Sequence, residues 1–192
     1  MIAWRSVRSY SPWPLLLALA SLGQAGMAAE ASKLVAGDEL PLLEATTLNG
    51  ELVTLPRDAR GHAVVLVVGF SKAAAKTTRQ WLESCRTAAT VKSAGYGVYC
   101  YDARMLESVP RLFRGSMERG MRGGFSVDVQ RRTLLVYSGN EAWRGRLGAE
   151  DEKTGYIVGF DREGRVRGMA AGQFADTELK RILEAIDPVP AE

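Results

Sequence analysis

Two cysteines, Cys85 and Cys100, are the residues of this 192-residue chain that are best suited to covalent chemistry. Cys85 falls on the apolar face of a predicted helix and Cys100 falls in the next predicted strand. A disulfide can therefore form if the strand turns Cys100 toward that helix. Such a bridge would stabilise the fold by about 3 kcal/mol, because it restricts the unfolded chain.

Two other roles stay open for this pair. The cysteines can be buried and reduced, acting as small hydrophobic side chains, or they can form a catalytic redox pair. Activated cysteines usually lie at the start of a helix, where the helix dipole and free amide groups stabilise a thiolate. Neither cysteine falls at a predicted helix start, which favours a structural bridge over catalysis.

Other catalytic and ligand-binding patterns are missing from the sequence. His62 is the single histidine, so a histidine-based metal site has little to build on, and we predict a surface position for this residue. The sequence has no phosphate-binding glycine loop, no paired carboxylates and no nucleic-acid module. Its 25 basic and 22 acidic residues give no global basic field. We therefore predict no metal, no cofactor and no nucleic-acid partner.

An arginine-rich segment, residues 109–121, is the preferred candidate for a binding surface. Arginine beside aromatic and aliphatic side chains suits protein interfaces and anionic lipid surfaces. The alternative is an ordinary amphipathic helix with a solvated face, although Gly115 and Gly120 weaken such a helix. The partner-binding residues that we predict in this segment are Arg111, Leu112, Phe113, Arg114 and Arg119.

The first 28 residues have the pattern of an export signal. Arg5 and Arg8 precede a short apolar run, and small residues follow it, which predicts cleavage near Ala28 and an extracytoplasmic, periplasmic protein. The alternative is an uncleaved membrane anchor, although the run is short for a membrane span. We predict a folded domain over residues 34–187 and a tail over 188–192.

The elements that must position these residues alternate between strands and helices. A hairpin is predicted around Asn49 and Gly50, because this dipeptide favours a tight turn. The apolar, β-branched run 63–70 predicts a strand buried on both faces. The remaining predicted elements are a helix over 73–91, a strand over 98–101, a helix over 107–121, a strand over 133–137, strands over 156–160 and 165–171, and a closing helix from Asp176. This order predicts an α/β layered sandwich.

Strand 63–70, which leads directly into a helix, and the closing hairpin 155–168 resemble the thioredoxin-like superfamily. The resemblance implies a three-layer sandwich with an N-terminal β-hairpin and a helical insert. Redox members carry a cysteine at the start of the first long helix and a cis-proline before the third core strand. Residues 71–76 contain no cysteine, and Thr154 and Gly155 occupy the proline position. On this basis we predict that the protein is not an enzyme.

A narrower resemblance is to the thioredoxin-like assembly factors of mitochondrial ATP synthase. It rests on Ser71 and Lys72 with Trp81 in the next helix, on the arginine-rich segment, and on a closing motif. Where those factors carry a tryptophan, this chain has Gly168. The resemblance implies that Ser71 and Lys72 contact a partner. The motif residues are Gly155, Tyr156, Asp161, Gly164, Arg165 and Arg167.

The function predicted from these features is a non-catalytic assembly, chaperone or binding factor. Its partner would be a protein, membrane-associated in the case of a complex such as ATP synthase. The alternative is an exported thiol–disulfide oxidoreductase or peroxiredoxin-like protein that uses Cys85 and Cys100. A third hypothesis is a small-molecule binder at the rim formed by Ser71 and Lys72.

Overall fold

The computed structural model describes residues 32–92 and 97–187. The predicted signal peptide, residues 1–28, and the predicted tail, residues 188–192, lie outside the described residues. Within the described part of the chain, no helix combines the length and the apolar character needed to cross a membrane.

A seven-stranded mixed sheet forms the centre of the fold, with the strand order β2-β1-β5-β4-β3-β6-β7. Strands β3, β4 and β5 are parallel, and the other neighbouring pairs are antiparallel. The strands are β1 (Leu43–Thr47), β2 (Leu52–Leu55), β3 (Val64–Gly69), β4 (Tyr99–Met105), β5 (Thr133–Val136), β6 (Gly155–Phe160) and β7 (Val166–Ala171).

Five α-helices complete the described fold. They are α1 (Ala75–Lys92), α2 (Arg111–Gly124), α3 (Val127–Arg131), α4 (Asn140–Leu147) and α5 (Asp176–Ile186). Helices α1 and α5 pack on one face of the sheet, and Trp143 of α4 packs on the other. Helices α2 and α3 form the insert between β4 and β5. The predicted three-layer α/β sandwich with an N-terminal hairpin and a helical insert is confirmed.

Strand β3 divides its side chains between two cores. Val64, Leu66 and Val68 point into the core on the α4 side, whereas Val65 and Val67 contact the core beneath α1 and α5. All five are fully buried. A strand covered on both faces reads as a continuous apolar run, which is why the sequence predicts it well.

Helix α1 is fixed at both its start and its middle. The Ser71 hydroxyl caps the 3-10 turn that precedes it, accepting from the Ala73 amide over 3.1 Å and donating to the Glu152 carbonyl over 2.7 Å. Trp81 donates from Nε1 to the Gly172 carbonyl at 3.0 Å. The first contact ties the start of the helix that carries Cys85 to the α4–β6 connection, and the second ties its middle to the β7–α5 connection.

Helix α2 begins later than the sequence predicts. The predicted helix covers 107–121, whereas the observed one begins at Arg111, directly after Pro110. Proline pushes the residue before it out of the helical region, so the helix cannot extend back through Val109. None of the residues of α2 is buried.

Candidate redox site

Cys85 and Cys100 are joined by a disulfide between α1 and the second residue of β4. Their Cα atoms are 6.2 Å apart, and both side chains are fully buried. Cys85 lies on the apolar face of α1 with Trp81 and Leu82, in the core beneath α1 and α5. Helical spacing on α1 and the alternation of β4 together bring the two sulfur atoms to one point between helix and sheet.

A cavity of about 360 Å³ has Cys100 in its wall. Arg86 of α1 and Arg132, which follows α3, line it together with the carboxylate of Asp128. The guanidinium of Arg132 lies 5.1 Å from the centre of the Tyr99 ring. Burial lowers the pKa of Arg86, and the nearby charge of Asp102 opposes this effect. Since arginine stays protonated in proteins, two cations and one anion face the cavity.

A buried ion pair lies further along the same face of β4. Asp102 is only 4% exposed, and its Oδ2 accepts from Arg104 Nε over 2.9 Å. Burial raises the pKa of Asp102, while the positive charge and hydrogen bond of Arg104 oppose the rise. Asp102 also lines a hollow of about 240 Å³ between α1, β4 and α3, as does Arg86. The charged side chains of Asp102, Arg104 and Arg86 therefore lie on the same side of the sheet as the disulfide.

Sequence reasoning missed Asp102 and Arg86 as members of this site. Cys100, Asp102 and Arg104 stand at every second position of β4, so the alternation of the strand already predicts that they share a face. Arg86 lies four residues after Leu82 on α1, which puts it beside the apolar face. The spacing along β4 and along α1 therefore indicates that these side chains lie near Cys100 and Cys85.

The two positions used by redox thioredoxins hold no reactive group in this chain. Ser71 uses its hydroxyl as a helix cap, and Lys72 is exposed. Thr154 donates to Asp151 Oδ2 over 3.0 Å. Gly155 begins β6 so close to α1 that a Cβ there would lie 3.1 Å from Cγ2 of Thr78.

The predicted partner-binding residues of α2 fall into two groups. Leu112 and Phe113 are 86% and 59% exposed, and Arg111 and Arg119 are exposed beside them. Arg114 instead turns inward, where its guanidinium lies 4.2 Å from the centre of the Tyr137 ring and its Nε donates to the Val109 carbonyl. The structure thus separates Arg114 from the other four residues.

The closing motif occupies the β6–β7 hairpin. Asp161 Oδ1 accepts from the amides of Glu163 and Arg165, and its Oδ2 accepts from Arg167 Nε over 2.5 Å. Burial acts to raise the pKa of Asp161, but these hydrogen bonds outweigh it and lower the pKa below its ordinary value. The motif therefore organises this hairpin.

Three further motif residues support the same hairpin. Gly164 has φ +84°, and a Cβ there would collide with Pro56. Tyr156 is buried, and its hydroxyl donates to the Asp151 carbonyl over 3.1 Å. Arg165 donates to the Gly37 carbonyl over 3.2 Å, which links the hairpin to the chain before β1.

Gly168 and His62 occupy confined positions. A Cβ on Gly168 would lie 3.1 Å from Cγ1 of Ile182, so a tryptophan has no room there. His62 is half-buried and stacks on Tyr99, with ring centres 4.4 Å apart. Within residues 32–92 and 97–187, no group of three or more histidine, cysteine or acidic side chains could hold a metal ion.

No protein-family model and no curated protein matches the sequence. Solved structures do match the fold. One is a proposed thiol:disulfide interchange protein, DsbE, from Chlorobium tepidum, with TM-score 0.55, 16% identity, and coverage of 81% of this chain and 100% of that one. Another is the thioredoxin domain of a thiol-disulfide oxidoreductase from Bacteroides vulgatus, with TM-score 0.52, 15% identity, and coverage of 81% and 100%.

A third similar structure is BsSco, a member of the Sco family of cytochrome c oxidase assembly proteins in which a disulfide switch has been identified. Its TM-score is 0.54 at 12% identity, with coverage of 80% of this chain and 96% of that one. The narrower resemblance to ATP synthase assembly factors gains no support from these comparisons.

The prediction that the protein is not an enzyme is wrong. It rested on the absence of a cysteine from residues 71–76, but the chain carries a disulfide at another place in the fold. The structure joins Cys85 to Cys100, and the fold is shared with thiol–disulfide oxidoreductases. The prediction of a protein without a redox role is unsupported for the same reason. The chain has a thioredoxin-like fold in which the disulfide lies between α1 and β4.

Proposed function

We propose that this protein is an exported thiol–disulfide redox protein whose redox couple is Cys85 and Cys100. The observation that carries the proposal is the disulfide between α1 and β4, with an arginine-lined cavity against Cys100. Disulfides persist in oxidising compartments outside the cytosol, which agrees with the predicted export signal.

The proposed reaction is oxidation of a dithiol on a substrate protein. A substrate thiolate attacks Sγ of Cys100, the Cys85–Cys100 bond breaks, and the Cys85 thiolate leaves and takes a proton from water. The second substrate thiolate then attacks the substrate sulfur of the mixed disulfide, and Cys100 leaves as a thiolate that also takes a proton from water, to which the two substrate thiols have given theirs. Two electrons and two protons have passed to the protein, which is left with two thiols, and the substrate gains one disulfide.

The surroundings of Cys100 favour this direction of attack. Arg86 and Arg132 place two positive charges on the cavity against the single negative charge of Asp128, and net positive charge attracts and stabilises a thiolate. Because both sulfur atoms are fully buried, the attack requires a local opening of the structure, so exchange is slower than at an exposed disulfide. In the protein BsSco, a disulfide switch occurs within the same fold.

Equilibration with glutathione tests the proposal. The purified protein is incubated at defined ratios of reduced to oxidised glutathione, and free thiols are alkylated and counted by mass spectrometry. We expect the couple to titrate with a potential above about −300 mV, the limit below which structural disulfides resist the glutathione pool. A protein that stays oxidised at every ratio would refute the redox role.

Single cysteine variants test which sulfur is attacked. In Cys85→Ser, the remaining Cys100 faces the cavity and should form a glutathione adduct faster than Cys85 does in Cys100→Ser. Equal rates, or a faster reaction at Cys85, would contradict attack through the cavity.

Arginine variants test the electrostatic part of the proposal. Arg132→Ala removes a cation from the cavity and should slow reduction of the disulfide by glutathione by about fivefold, the effect of one partly screened charge. Arg131→Ala is the matched control, because Arg131 is an exposed neighbour that does not line the cavity. The same rate in both variants would exclude a role for the Arg132 charge.

A second candidate function, binding of a protein partner, is favoured by one observation. Leu112 and Phe113 are strongly exposed on α2, with Arg111 and Arg119 exposed beside them. Charge complementarity suits a partner segment that combines acidic and apolar side chains. An assembly role for a membrane complex would use this surface.

Crosslinking with purified candidate partners tests this surface. Arg111→Glu with Arg119→Glu should abolish binding of a partner that the unchanged protein binds directly. Lys76→Glu with Arg79→Glu reverses two exposed charges on α1 and is the matched control. Loss of binding in both double variants would point to net charge and not to α2.

A further inference from the structure

A second cleft, separate from the disulfide, opens between the start of α1, the end of β4 and α2. Its volume is about 370 Å³, within the range of about 300–1,000 Å³ that is typical of small-molecule sites. Most of its wall is apolar and comes from Phe70, Met105, Leu106, Val109, Met117 and Met121. The cleft can therefore exclude water from an aliphatic group.

The polar part of the wall carries a net positive charge. Lys72 and Arg104 line the cleft, and Asp102 is the carboxylate among the lining residues. Asp102 is already paired, since its Oδ2 accepts from Arg104 Nε. Lys72 is exposed at the first turn before α1, where the helix dipole adds to its positive potential. An anionic group is the complement of this end of the cleft.

The α2 wall can adjust to the shape of a ligand. Met117 and Met121 are four residues apart on one face of α2, and methionine side chains adapt to irregular shapes. Met121 Sδ accepts a contact from Arg104 Nη1 at 3.1 Å, which joins the apolar wall to the charged one. None of the residues of α2 is buried, so surface side-chain contacts such as that of Arg122 with Leu48, and not a packed core, hold this wall in place.

We propose that this cleft binds an amphipathic anion, namely an aliphatic chain that ends in one carboxylate. The chain lies among the methionines, and the carboxylate faces Lys72 and Arg104. This inference goes beyond the redox role, because neither Cys85 nor Cys100 lines the cleft.

Titration calorimetry with decanoate tests the proposal directly. We expect saturable binding of one decanoate per chain. Decanol, which lacks the charge, and acetate, which lacks the chain, should each bind at least about tenfold more weakly, since each loses one of the two kinds of contact. Equal affinity for decanol and decanoate would overturn the assignment of the carboxylate to Lys72 and Arg104.

Paired variants locate the binding. Lys72→Gln should weaken decanoate binding by about fivefold, as expected for one partly exposed ion pair, whereas Lys76→Gln should not change it. Met117→Trp fills the cleft and should abolish binding, whereas Ser116→Trp, on an exposed position of α2, should not. Binding that survives Met117→Trp in a folded variant would overturn the site.

Methionine-methyl NMR on the unaltered protein gives a test that needs no variant. Decanoate should shift the methyl signals of Met105, Met117 and Met121 and leave that of Met169 on β7 unchanged. Shifts confined to Met169, or no shift at saturating decanoate, would refute the proposal. If the methyl signals shift with protein concentration and not with decanoate concentration, a second copy of the chain occupies the cleft. That result would also refute the proposal.

Discussion

Arg104 donates from Nε to Oδ2 of Asp102 across 2.9 Å, and this pair lies on the face of β4 that also carries Cys100. Asp102 lines both the decanoate-sized cleft and the hollow beside α3. Arg86 lines that hollow and also the cavity against Cys100, so the hollow joins the surroundings of the two regions for which we propose chemistry. Burial and the nearby charges of Arg104 and Arg86 act on the pKa of Asp102 in opposite directions, which has a measurable consequence.

The first prediction concerns the dependence of stability on pH. Burial raises the pKa of Asp102, so the folded state binds its proton more tightly than the unfolded state does. The ionisation of Asp102 therefore lowers the free energy of unfolding as the pH rises from the ordinary pKa of an aspartate to the raised pKa of Asp102 in the folded state. Asp102→Asn removes this contribution, so the stability of the variant relative to the unchanged protein should increase over that range of pH.

Urea unfolding at a series of pH values from 4 to 7 measures this difference. Asp128→Asn removes one exposed carboxylate from α3 and is the matched control for the change in charge. A relative stability of Asp102→Asn that falls with rising pH would mean that the Arg104 ion pair outweighs burial.

The second prediction concerns Asp161 in the β6–β7 turn. Its pKa is lowered by hydrogen bonds from the Arg165 amide and from Arg167, against the effect of burial. A lowered pKa gives stability that is present above the ordinary pKa of the group and is lost as pH falls through the lowered one. Asp161→Asn should cost about 1–3 kcal/mol at pH 7 and less at pH 3.

Urea unfolding at pH 7 and pH 3 checks the prediction for Asp161. Glu163→Gln removes an exposed carboxylate from the same turn and should have a much smaller effect at pH 7. An equal loss for Asp161→Asn at both pH values would show that shape, and not charge, accounts for the effect.

The third prediction concerns the contact of β6 with α5. A Cβ on Gly159 would lie less than 3.0 Å from the Cγ2 atoms of Ile182 and Ile186. Gly159→Ala should therefore destabilise the protein by about 1–3 kcal/mol through overpacking. The same substitution at Gly115 of α2, where a Cβ meets no atom within 4 Å, should stabilise by about 0.5–1 kcal/mol.

A double-mutant cycle separates overpacking from a backbone effect. Ile182→Ala removes the methyl group nearest to the new Cβ, so the double variant should be more stable than the sum of the two single changes predicts. Additive effects would mean that the backbone of β6, and not the α5 side chain, resists the change.

The elements whose signals are local could be predicted from the sequence. Strand β3 is buried on both faces, so its run of valine and leucine is visible without knowledge of any neighbour. Helices α1 and α5 each show one apolar face at helical spacing, with Trp81 and Cys85 on the first and Leu179 and Ile182 on the second. Burial in each case follows from periodicity alone.

Features that depend on distant residues could not be predicted. The guanidinium of Arg122 donates to the Leu48 carbonyl at 2.8 Å, 74 positions away. Arg114 likewise stacks on Tyr137 and leaves the surface to which we had assigned it. Arginines of α2 contact carbonyl groups and rings that are distant in the sequence. The sequence pattern therefore does not show which of them contact the fold and which face solvent.

The disulfide received too little weight for a related reason. Sequence reasoning tied thiol chemistry to one location, the start of the first long helix, and found no cysteine at residues 71–76. The pairing of Cys85 with Cys100 depends on the approach of α1 to β4, which helical spacing permits but does not determine. A disulfide elsewhere in the fold therefore received too little weight as a redox couple.

The last prediction concerns the stability that this disulfide provides. The bond closes a loop of 15 residues, which should contribute about 3 kcal/mol and raise the melting temperature by about 6–12 °C. Dithiothreitol should lower the melting temperature of the unchanged protein by this amount. Cys85→Ala with Cys100→Ala should melt at the lower temperature with or without dithiothreitol, because it has no bond to reduce. If dithiothreitol leaves the melting temperature of the unchanged protein intact while mass spectrometry shows free thiols, the bond does not stabilise the fold. If reduction lowers the melting temperature by no more than this amount, the protein stays folded with both thiols free. The disulfide can then be exchanged without unfolding, as the proposed redox role requires.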